Sequence, residues 1–168
     1  MLAISLVVIG ILLRFVPHAP NFTPVAAIAL FSGVYLNKKY SWSIPLLLMI
    51  ASDVFLGLHN VIAFTWGSFV LTGVLGMWLR PRKNPFYISA GALISSLLFF
   101  VISNFGVWLM GWYPHTTQGF IQCYVMALPF LRNFTAATLL YAAVFFGAYE
   151  LIARSVKNTK FARVLLTR

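Results

Sequence analysis

Apolar stretches alternate with short polar breaks along the whole chain, and the breaks are of two chemical kinds. One kind is basic: Lys38 with Lys39, then Arg80, Arg82 and Lys83, then Arg154, Lys157, Lys160, Arg163 and Arg168. The other carries the histidines, His18, His59 and His115, in the alternate gaps. The apolar stretches predict helices over about 1–15, 24–37, 42–58, 61–79, 86–109 and 133–153. A spanning helix takes about 20 apolar residues, so several of these are short and the bundle is expected to be thin or irregular. Pro17, Pro20 and Pro24 exclude regular helix from the linker after the first stretch, because proline donates no backbone hydrogen bond. Residues 120–131 are too few to span alone. With Pro129 and the polar run Gln122, Cys123 and Tyr124, they predict a short re-entrant or interfacial helix before the last span, since irregular backbone at membrane depth must be buried against protein.

Composition fixes the class. Hydrophobic residues make up 61% of the 168 residues and mean hydropathy is +0.92, well above the roughly 45 to 50% apolar usage of soluble domains. The expectation is an all-α integral membrane protein, with a six-helix transmembrane bundle in residues 1–153 and a basic cytoplasmic tail over 154–168. Residues 1–13 follow no positive n-region and precede no small-residue cleavage pattern, so they read as a mature helix rather than a signal peptide. Lys and Arg concentrate in cytoplasmic loops. The basic breaks are therefore expected inside, the histidine breaks outside and both termini inside, in a multi-pass protein of the plasma (inner) membrane. Arg14 and Arg132 run against that bias. The net charge of +10 sits beside apolar spans, which points to orientation and anionic lipid at the inner face rather than to nucleic acid.

Few groups can do chemistry. Asp53 and Glu150 are the two carboxylates. Glu150 precedes Arg154 by four residues, the favourable order for a helical ion pair. Asp53 has no cation on its own helix, and a charge inside the membrane is costly unless paired, so it reads either as a site residue or as a hydrogen-bonding tie between helices. The outer breaks gather His18, Asn21, His59, Asn60, Trp108, Trp112, Tyr113, His115, Gln122 and Tyr124, with Asn104 one turn below Trp108. Aromatic walls with a few convergent polar groups describe a small-molecule site. A belt of interfacial Trp and Tyr is the plain alternative. The three histidines and the single Cys123 lack any metal-ligand spacing, Cys123 has no local base, and neither a G-x-S-x-G elbow nor a Walker motif occurs. No metal, cofactor or enzymatic role is therefore expected.

Four stretches carry a family resemblance: RFVPHAPNFTPVAAIALF over 14–31, residues 52–59, residues 99–108 and residues 113–130. Through them the chain resembles the substrate-binding S components of energy-coupling factor (ECF) transporters, in a small branch of that superfamily. The resemblance implies a six-helix subunit whose outward pocket is closed by the loops after helices one, three and five. It also implies a vitamin, vitamin precursor or metal ion as solute, and a transmembrane coupling subunit and two ATPase subunits as partners. The loaded subunit is thought to topple in the bilayer. The family's small-xxx-small contact in helix one is missing, because Ala3 is followed by Val7, although Ala29 and Gly33 have the spacing.

The leading expectation is thus a solute-binding transport subunit. Trp112, Tyr113 and Trp108 would stack a ring, Asp53, His59, Asn104, His115 and Gln122 would make polar contacts, and His18 and Asn21 would sit in the lid. A membrane enzyme or metal-dependent hydrolase requires His18, His59 and His115 to converge. A scaffold requires no pocket and an Asp53 satisfied by neighbouring helices.

Overall fold

The computed structural model describes residues 1–166, so Arg168 of the basic tail lies outside the described residues. Among the described residues seven α-helices follow one another and no strand forms. They are α1 (Leu2–Leu12, continued by a 3₁₀ turn Leu13–Phe15), α2 (Val25–Tyr35), α3 (Ser43–Leu56), α4 (Ile62–Leu79), α5 (Pro85–Leu109), α6 (Thr117–Val156) and α7 (Ala162–Leu166). Three of them, α4, α5 and α6, are long and apolar enough to cross a membrane. The helices α1, α2 and α3 are apolar but shorter, with 11, 11 and 14 residues.

The breaks follow local chemistry. Asn84 caps α5 by accepting from the Tyr87 N–H, with Pro85 in the first turn where its missing donor costs nothing. Thr116 caps α6 by accepting from the Gly119 N–H. At the end of α3, Gly57 takes a φ of +107°, a backbone conformation that side-chain-bearing residues rarely adopt.

Residues 117–156 form one helix, which corrects the expected short re-entrant segment followed by a separate span. Pro129 is accommodated inside it. A proline in a helix interior costs one hydrogen bond and bends the axis, and neighbouring helices make up the loss. The first part of α6 has that support: Tyr124 Oη donates to the Val101 carbonyl at 2.8 Å, and Phe120 meets Trp108 edge-on. At about 1.5 Å per residue the 40 residues of α6 extend roughly 60 Å, twice the hydrocarbon thickness of about 30 Å.

The centre of the molecule is α2, in which every residue is buried. It lies against α1, α3, α4, α5 and α6. Its crossing with α4 is made by glycines: a Cβ on Gly33 would fall 2.6 Å from Gly76 Cα and closer still to the Gly73 carbonyl. Without side chains between them, the two backbones touch, which is a main way helices associate in lipid. The Ala29/Gly33 spacing is therefore used inside the chain, and Ala3 and Val7 of α1 are buried as well. Arg80 closes the same crossing. Its Nε donates to the Gly33 carbonyl at 2.8 Å, and Nη2 donates to the Leu36 carbonyl and to Ser41 Oγ, so a cation satisfies the carbonyl end of α2.

The two kinds of break gather at opposite ends. At one end the Met1 amino group donates to the Leu165 carbonyl, Lys83 lies over the Tyr35 ring, and Tyr35 Oη donates to Glu150. Glu150 thus meets a tyrosine from α2 instead of forming the expected pair with Arg154. At the other end Arg14 reaches Asp53, and Asn133 Nδ2 donates to the Pro20 carbonyl at 3.2 Å.

Candidate functional site

At the histidine end, the turn and linker after α1, the start of α2, the helices α3, α4 and α5, and the first half of α6 surround a cavity of about 460 Å³. This is within the range of about 300 to 1,000 Å³ usual for small-molecule sites. Its floor is a small apolar cluster that includes Val25, Met49, Phe69 and Phe134. Phe99 is stacked between Phe69 and Phe134, with ring centroids 5.4 and 4.3 Å away. Polar groups enter from several elements: Arg14 from the turn after α1, Asn21 and Thr23 from the following linker, His59 from the loop after α3, Thr65 from α4, Ser103 and Asn104 from α5. Trp112 and Tyr113 come from the loop before α6.

Arg14 is the feature the sequence pattern concealed. Its Nη2 donates to Asp53 Oδ1 at 2.6 Å and its Nη1 donates to Ser52 Oγ. Asp53 Oδ2 accepts from Trp66 Nε1 at 2.8 Å. The side chains of the pair are 13% and 6% exposed. Asp53 does have a cation, supplied from 39 positions earlier in the chain. It lies behind the cavity wall and Arg14 forms the wall, so the carboxylate positions the guanidinium and does not itself line the cavity. Arg14 opposes the charge bias of the chain because it is the counter-ion of Asp53.

The other expected site residues divide. Asn21, His59, Asn104, Trp112 and Tyr113 line the cavity together. Trp108 lies outside the lining and ties down the loop before α6, donating from Nε1 to the Pro114 carbonyl at 3.1 Å. His115 lies outside it too, 3.0 Å through Nε2 from the Trp108 carbonyl and edge-on to the Trp108 ring. Gln122 faces outward from α6, and His18 is exposed on the linker beside its neighbour's carbonyl. These two and the Trp108–His115 pair are frame or surface. Among the described residues no three of His, Cys, Asp and Glu come together as a metal-binding set, so the convergence required by a histidine metal centre does not occur.

Several lining residues had little signal in the sequence. Thr65, Ser103 and the phenylalanines look like ordinary helix residues and Thr23 like an ordinary linker residue, and only their shared position around the cavity distinguishes them. Asn104 is held through side chain and backbone: its Nδ2 donates to the Phe100 carbonyl at 2.7 Å and its main-chain carbonyl accepts from Cys123 Sγ at 3.4 Å. That leaves its Oδ1 and one amide N–H for the cavity.

The match of residues 1–161 to a single family profile decides the kinship. The chain belongs to a family of unknown function, DUF6580. The DUF6580 match covers α1 to α6 and every residue that lines the cavity. No curated protein and no solved structure matches the chain.

Proposed function

We propose that this DUF6580 protein is a membrane-embedded solute-binding subunit of a micronutrient uptake transporter, with its cavity opening outward. The observation that carries the reading is the cavity itself. About 460 Å³ of space at one end of an apolar bundle is lined by aromatic rings and by polar side chains from five separate segments. A scaffold needs a satisfied Asp53, which it has, but gives no reason for such a space. The separation of basic and histidine breaks to opposite ends supports six crossings with both termini inside, α6 supplying the last crossing with its later residues. The exposed Lys38, Lys39 and Arg82 then suit anionic headgroups of the inner leaflet. The vitamin-like solute, the coupling subunit and the two ATPases rest on the resemblance to S components. Such a coupling subunit would dock away from the small-residue pattern, which is consumed inside the bundle.

The test is mass spectrometry of small molecules released from gently purified protein, alongside Asn104→Ala. A near-stoichiometric metabolite whose retention drops in the variant is expected. A stoichiometric metal, or a metabolite retained unchanged by Asn104→Ala in a folded protein, would count against this site.

A further inference from the structure

We infer that the cavity selects an anionic ligand, an apolar or ring-bearing molecule whose carboxylate or phosphate is bound by Arg14; this rests on the solute-binding reading above and names its substrate class.

Three observations carry it. The cavity lining contains one arginine and one histidine and no carboxylate. A cationic ligand would therefore find no carboxylate in the wall to pair with. The second observation is the incomplete bonding of Arg14. A guanidinium has five N–H donors in a fixed fork. The protein takes one from Nη1 and one from Nη2, and among the described residues no other bond to this side chain forms. Donors left at the wall of a largely apolar space are costly unless an acceptor meets them, and a planar oxyanion meets two at once. The third is the direction of the ion pair. Both oxygens of Asp53 are already engaged, by Arg14 and by Trp66, and the residue sits outside the lining. An oxyanion touching the guanidinium is nearer to the positive end of that pair than to the negative one. Since Coulomb energy falls with distance, net attraction remains, strengthened by the low-dielectric wall.

The remainder of the lining describes the rest of the molecule. Phe69, Phe99 and Phe134 give the cavity an aromatic floor. Asn104, with one carbonyl and one N–H unused, suits a ring amide or ring nitrogen. Ser52 and Asp53 hold the guanidinium plane, so its geometry is set before ligand arrives, and preorganisation lowers the cost of binding.

The experiment is affinity selection in detergent. Wild-type protein, Arg14→Gln and the double variant Arg14→Gln with Asp53→Asn are each incubated with the same deproteinised yeast-extract metabolite mixture, and retained compounds are identified by mass spectrometry. The double variant replaces the ion pair by an amide pair, so it keeps the test valid if the single variant misfolds. Compounds retained by the wild type are expected to carry a carboxylate or phosphate, and to be lost about tenfold or more from the folded variants, as suits a charge-assisted bond. Neutral or cationic compounds retained by the wild type would overturn the inference while leaving solute binding standing. So would an acid held equally well by the folded double variant. If the wild type retains nothing, the solute-binding reading fails and the inference fails with it.

Discussion

Asp53→Asn tests the central electrostatic claim most directly. Asparagine keeps the shape of the side chain but offers one oxygen and one NH₂ where the carboxylate offered two oxygens. In the native arrangement Oδ1 accepts from Arg14 and Oδ2 from Trp66, so the amide satisfies one donor and turns its own donor toward the other. Arg14 also keeps a positive charge in a side chain only 13% exposed. Removing one partner of a buried pair costs about 3 to 5 kcal/mol, because the surviving charge is left uncompensated. For a protein of this size about 1 kcal/mol moves the thermal midpoint by roughly 2 to 4 °C, so a fall of about 6 to 20 °C is expected. The assay is thermal unfolding in a mild detergent, followed by tryptophan fluorescence, across a cycle of Asp53→Asn, Arg14→Gln and the double variant. The double variant should be less destabilised than the sum of the singles by at least about 1.5 kcal/mol, the signature of residues in contact. If Asp53→Asn shifts the midpoint by less than 2 °C, or the two changes simply add, the ion pair is not formed as described.

Other outcomes follow from packing and topology. Gly33→Ala and Gly76→Ala would drive a methyl group into the facing backbone of α4 or α2, and each should destabilise by about 1 to 3 kcal/mol or more. Gly67→Ala on the same α4, with open space around it, should be neutral or stabilising by up to about 1 kcal/mol, and equal effects at Gly33 and Gly67 in the same unfolding assay would refute the glycine crossing. Single cysteines at His59 and His115 should react with a membrane-impermeant maleimide added outside intact cells, and one at Lys39 should react only after lysis; the opposite pattern would overturn the orientation.

Much of the organisation was legible because it is written in one-dimensional chemistry. Proline, glycine and clustered charge end helices locally, so the breaks at 16–24, 37–42, 57–61 and 80–84 appear both in the pattern and in the structure. The sorting of lysines from histidines also survives, since the basic breaks and the histidine breaks lie at opposite ends of the bundle. The join across Pro129 was not legible. A proline within a polar, short apolar stretch signals a boundary, and only the packing of Tyr124 and Phe120 on α5 makes one continuous helix tolerable. The role of Asp53 was half legible: its need for a partner follows from burial, whereas the partner is brought close by tertiary folding over 39 positions. Trp108 and His115 show the same limit from the other side. Both have the residue types of a ligand site, yet they spend their polar atoms on each other and on the loop beside them.

The proline in α6 also determines where the cavity wall can yield. Cys123, Met126 and Ala127 line the space before Pro129, and Phe130, Leu131 and Phe134 line it after. Because Pro129 has no N–H to give the Val125 carbonyl, α6 lacks a rung midway along the part that lines the cavity. The α2 side is firmer, for that helix, which supplies Val25 to the floor, is buried along its whole length. Compliance is thereby concentrated at a single joint, and faster amide exchange around 125–133 than in α2, slowed when the site is filled, would be its mark.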